Sequence, residues 1–160
     1  MPNLGIFDSH PRGWSNPTTV RASAALPAAG AWDTPTVCVC AGADTMRLQF
    51  SYTRGAAGGA FDFQVETSIY AVAANVPAGA GEWANPSVES VGVVAAGIDT
   101  QSLIQDGYDT FTSTGAAIDT FTYGPIHLNG TIERYRVTVR ESASGIIATP
   151  GTLAIVAELY

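Results

Sequence analysis

Lysine is absent from this 160-residue sequence, and seven arginines carry all of its basic charge. Against 14 acidic residues they leave a net charge of −7. Nucleic-acid binding rests on neutralising phosphates, so an acidic chain without lysine is a poor DNA or RNA partner. An anionic membrane surface is disfavoured for the same reason. A GC-rich source genome is the simplest cause of the missing lysine. Charge of either sign is scarce at 13%, against about 25% in an average soluble domain. Thr, Ser, Gly, Ala, Asn and Gln must therefore cover much of the surface, or that surface lies against something else. No run approaches the ~20 apolar residues of a membrane helix. The start MPNLGIFDSHPRGW has neither the basic residues nor the apolar core of a signal peptide, so synthesis in a cytoplasm is expected.

Reactive side chains are equally few. The two cysteines, Cys38 and Cys40 in TVCVCAG, sit two apart on an extended segment and share a face. A bridge between them would be strained, so packed, reduced thiols are expected. His10 and His127 are the only imidazoles, too few to build a metal centre with the cysteines. No Gly-x-Ser-x-Gly elbow is present. Asp62, Glu66 and Glu133 are available as carboxylates, but no spacing selects a catalytic pair. The recurring Asp-Thr dipeptides at 44, 99, 109 and 119 read as turn caps rather than a calcium loop. No enzyme activity, cofactor or metal is expected.

What remains is β-pattern. In Thr131–Tyr160, Tyr135, Val137 and Val139 alternate with Arg134, Arg136, Thr138 and Arg140, which gives one buried face and one basic stripe. Leu153, Ile155, Ala157 and Leu159 then alternate with Ala154, Val156 and Tyr160, broken only by Glu158. A strand apolar on both sides is central in a sandwich or covered by another subunit. Met46, Leu48, Phe50 and Tyr52 share a face, and Phe61, Phe63, Val65 and Ile69 are expected to face in, opposed by an acidic stripe of Asp62, Gln64 and Glu66. Acidic and basic stripes have matching spacing and can pair across strands or subunits; two independent solvated faces are expected for any one pair. Short strands are expected at 88–96, 109–112 and 119–122, with a helical turn near 99–105. Asn129-Gly130 marks a hairpin, which also accounts for the Asn-Gly-Thr glycosylation sequon there. Thr53–Ala60 is a glycine-rich loop without the Lys-Ser/Thr ending of a phosphate cradle. Eight or so strands without an amphipathic helix predict an all-β fold, a single jelly-roll-like β-sandwich over 36–160.

Residues 1–35 read as an extended Pro-rich N-terminal arm. Five prolines break any helix, yet Ile6, Phe7, Trp14 and Trp32 suit a segment lying in a groove of its own domain or of a neighbour. Trp83, in the Gly/Pro-rich loop 75–86, is either a plug over the core or, with Tyr108, a stacking platform for a glycan.

At GAAGGAFDFQVE, VAAGIDTQSLIQ and YGPIHLNGTIERYRVTVRES…ATPGTLAIVAELY, across residues 36–160, the chain resembles small β-rich structural proteins of tailed bacteriophages, encoded near head genes and acting as capsid decoration (cementing) proteins. The resemblance implies a jelly roll on the outside of a virion capsid, made in the host bacterial cytoplasm. It implies the major capsid protein and other copies of the chain, commonly as a homotrimer, as partners, and no catalytic residues. The contact residues expected on this reading are Phe7, Trp14 and Trp32, the stripe Arg134, Arg136 and Arg140, and Val156 and Tyr160. A carbohydrate-binding module on a virion surface, and a tail or neck component, are the alternatives.

Overall fold

The computed structural model describes residues 16–27, 31–55, 59–85, 98–99, 107–142 and 149–160. Nine strands follow one another: β1 (Thr18–Ala25), β2 (Cys38–Val39), β3 (Thr45–Thr53), β4 (Ala60–Ser68), β5 (Ile98–Asp99), β6 (Asp109–Thr112), β7 (Asp119–His127), β8 (Arg134–Glu141) and β9 (Thr152–Leu159). They form two antiparallel sheets, β1-β9-β3-β7 and β2-β8-β4-β6-β5. Setting aside the two-residue β5, the pairs β1·β9, β2·β8, β3·β7 and β4·β6 are nested, first strand with last. This is a ribbon folded at its middle and wrapped into a barrel-like sandwich, the jelly roll. The all-β sandwich expected from the sequence is the fold observed.

Alternation builds the core. Met46, Leu48, Phe50 and Tyr52 from β3, Phe61, Phe63 and Val65 from β4, and Leu153, Ile155 and Ala157 from β9 all turn inward and are buried. Aromatic rings fill the gap between sheets. Phe50 stacks on Phe121 with centroids 4.8 Å apart, and Phe111 on Phe121 at 4.3 Å. Such contacts add to the ~2–3 kcal/mol each ring gains from burial alone. The Tyr123 hydroxyl donates to buried Asp109 at 2.6 Å; burial, then that neighbouring carboxylate, push the phenol's pKa up. Gly151 admits no side chain, since a Cβ there would lie 2.5 Å from the Tyr52 ring.

The structure differs from the sequence reading in three places. Residues 18–25, read as arm, form β1 and pair with β9, through two register shifts around Arg21. The strand is hard to see in TTVRASAA because only Val20 is buried and Arg21 folds back on its own backbone, donating to the carbonyls of Ala24 and Ala25 at 2.9 and 2.8 Å. Asn129 and Gly130 do adopt positive φ, 53° and 63°, but the flanking β7 and β8 lie in different sheets, so the turn carries the chain across the sandwich rather than closing a hairpin. Its amides bond to the Ala43–Asp44 turn, Leu128 N to Asp44 O at 2.7 Å and Gly130 N to Ala43 O at 3.1 Å. Ile98–Asp99 is a strand that pairs with β6. The strand expected at 88–96 and the rest of the expected helical turn lie outside the described residues.

Candidate interaction face and end cleft

Outward positions on β8 and β4 face each other pair by pair: Asp62 with Arg140, Gln64 with Thr138, Glu66 with Arg136. The matched stripes are therefore not independent. Arg140 Nε binds Asp62 at 2.9 Å, Arg136 Nε binds Glu66 at 2.6 Å, and Arg134 reaches past the strand end to Glu82 at 2.7 Å. The Asp62 side chain is 3% exposed and that of Arg140 15%; the Thr110 hydroxyl satisfies the second Asp62 oxygen at 2.8 Å.

Aromatic side chains from three connecting segments close over these arginines. The loop before β6 and the segment before β2 bring Tyr108 and Trp32 over Arg140, with ring centroids 5.1 and 4.2 Å from the guanidinium carbon. The two rings meet edge to face at 5.7 Å. Trp83 covers the other half, 4.4 Å from Arg136 and 5.2 Å from Arg134. It is placed by an isolated bridge, Ala84 to Thr67, that extends the β4 edge by backbone bonds of 2.8 and 3.0 Å. A guanidinium over an aromatic face is attracted by the ring's quadrupole. The result is a sheet face whose charges are cancelled and half-covered, with no free basic stripe among the described residues.

Six residues singled out from the sequence, Trp32, Trp83, Tyr108, Arg134, Arg136 and Arg140, thus share one face. Val156 lies on the opposite sheet, facing outward between Thr19 and Gln49. Tyr160 follows β9 at the end of the sandwich, where its backbone bonds to Asp44 and Thr45. Phe7 and Trp14 lie outside the described residues.

Asp33 was missed. Its backbone N–H donates to Val139 O at 3.0 Å, its carboxylate accepts from Val139 N at 2.9 Å, and Arg21 holds the same carboxylate at 3.1 Å. One side chain thereby caps the β8 edge and ties it to β1 in the other sheet. An Asp between Trp32 and Thr34 gives no sequence signal for such a role.

The same end of the sandwich as Tyr160 carries a cleft of about 380 Å³ between the loop after β4 and the β7–β8 crossing. Ile69, Leu128, Ile132 and Ala84 give it an apolar lining, with His127, Asn129 and Glu82 at its rim. Ile69, expected from the sequence to face inward with Val65, is 59% exposed in this cleft; Val72, three residues further along the same loop, is 49% exposed. Cys38 and Cys40 sit in the core near this end, and both are free thiols. Burial, then the charge of Glu133, push the Cys40 thiol up to about 12, and burial raises Cys38 as well. Neither is poised for nucleophilic or redox chemistry.

The chain matches no protein-family model and no curated protein sequence.

Proposed function

We propose that the protein is a structural virion component that coats the outside of a phage capsid and stabilises it, contacting the major capsid protein and other copies of itself, as a homotrimer at symmetry axes. The observation that carries this reading is the apolar end of the jelly roll: an open cleft lined by the exposed Ile69, with the exposed Val72 three residues on in the same loop, on a chain with only 13% charged residues. Exposed apolar surface in a charge-poor protein marks a place where another protein sits. Jelly rolls serve in capsid and in lectin domains, so the fold suits both this reading and the glycan-binding alternative. The alternative would use Trp83 and Tyr108, each of which already has a guanidinium at its ring.

The deciding measurement is the copy number of the chain in purified particles, by quantitative mass spectrometry against the major shell protein. Hundreds of copies at a simple ratio support a coat, a handful point to a tail or neck, and absence removes the proposal. Trp83→Ala separates the alternative, which predicts lost glycan binding with particle loading unchanged.

A further inference from the structure

Sheets end in open edges, and an unprotected edge is a template for another strand. Here two of the edge strands are spoiled for that purpose. β1 carries two register shifts and the folded-back Arg21, and bulged strands pair poorly with newcomers. β7 contains Pro125, which has no N–H to offer, and a register shift against β3.

β2 has no such device. Residues 34–43, TPTVCVCAGA, hold no charged side chain, and Pro35 stands before the segment rather than in it. Cys40 donates its N–H to Glu133 O at 2.9 Å, and Cys38 pairs with Tyr135 on β8. Backbone groups alternate sides along a strand, so Val37 and Val39 aim theirs at the open edge. Their side chains face outward too. Val39 is 70% exposed and Val37 46%, beside the neutralised Arg134 on β8.

We propose that this edge, Thr36–Cys40, is a strand-addition site for the same edge of a second copy of the chain, antiparallel and centred on Cys38. That register is self-complementary, as a two-fold contact must be. It sets Val37 of one copy against Val39 of the other, so each facing pair exchanges two backbone hydrogen bonds and stacks two valines. No charge lies in the contact on either side. A five-residue edge is about 16 Å long, and the area it covers falls well short of the ~800 Å² per partner of a stable complex. The pairing is therefore weak and concentration-dependent in solution, and repetition on a surface would strengthen it. Because each copy carries −7, added salt tightens it by screening. This two-fold contact is distinct from the three-fold one that the capsid reading places at particle symmetry axes, and it does not depend on that reading, since it is measured on the free chain without particles.

Sedimentation velocity of the full chain over a concentration series, at low and high salt, tests it. The wild type is expected to shift from monomer towards dimer at high concentration, more so with salt. Val39→Pro, which removes an outward N–H, and Val39→Lys are each expected to weaken association at least tenfold. Val39→Thr, which keeps the backbone bonds and the branched side chain, stays within about threefold. A wild type that shows no association at any concentration overturns the proposal, and so does association untouched by Val39→Pro. Circular dichroism of each variant confirms that the sandwich is intact, as expected for a side chain on an open edge.

Discussion

A carboxylate as deeply covered as that of Asp62 is tolerable only because the Arg140 guanidinium and the Thr110 hydroxyl occupy its oxygens. Removing one partner of a buried pair costs far more than removing both, since an unmatched charge is left behind. Arg140→Met is therefore expected to lower unfolding stability by about 3–5 kcal/mol, whereas Arg140→Met with Asp62→Leu recovers most of that loss. Urea denaturation of the three proteins measures both numbers. Glu141 presents the opposite case. It is 1% exposed, accepts the Gly151 N–H at 2.6 Å, and has a second oxygen, Oε2, without a hydrogen-bond partner. Burial, against the pull of the Gly151 bond, raises its carboxyl above the ordinary 4.5. A raised pKa means the folded state binds the proton more tightly than the unfolded one. Its contribution to stability is full below about pH 4.5 and is lost as pH rises through the folded-state value. Glu141→Gln keeps an acceptor for Gly151 but carries no charge. It should melt higher than wild type at pH 7–8, with the difference closing as pH falls to 4.5, which thermal melts across that range will read.

At the scale of elements, β1 decides where the domain begins. It covers one edge of β9, whose other edge is taken by β3. Removing residues 1–15 takes away none of the described strands, and the sandwich is expected to keep its far-ultraviolet circular dichroism. Removing residues 1–30 strips β1, uncovers β9, and severs Arg21 from Asp33; that protein is expected to aggregate in size-exclusion chromatography. The boundary was hidden because β1 has one buried side chain and two irregularities, so period-two alternation fails over it. By contrast β3, β4 and β8 declare themselves, since each has one apolar and one polar face. The ion pairs were half legible. Spacing showed that Asp62 and Glu66 match Arg140 and Arg136, but register, which makes them neighbours, comes from pairing between strands some seventy residues apart. Asn129-Gly130 misled for a related reason: local turn chemistry fixes the backbone bend but not the sheet that the next strand joins. At β2 both faces are apolar, so the pattern does not say that the cysteines turn in and the valines out.

For the molecule as a whole, the low charge count resolves unevenly. Among the described residues, five ion pairs, Arg21–Asp33, Arg47–Glu158, Arg134–Glu82, Arg136–Glu66 and Arg140–Asp62, bind five of the chain's seven arginines. They leave the acidic excess to set the long-range field, which repels other acidic surfaces and is screened by salt. On the proposed reading, attachment would rest on short-range burial, and the apolar end is where the chain offers it. Ile69 in the cleft and Val72 three residues on are exposed and contribute nothing to the core, so replacing both by Asp should leave the melting temperature unchanged. If this end docks onto the shell, the two substitutions bury unpaired charge in the contact and are expected to weaken loading at least thirtyfold, about 2 kcal/mol, the scale of an interface hot spot. Titration of the variant onto particles stripped of the protein, against wild type in parallel, makes the measurement. Equal loading would move the contact to the Trp32–Trp83 face, where Trp83→Ala becomes the next variant to titrate.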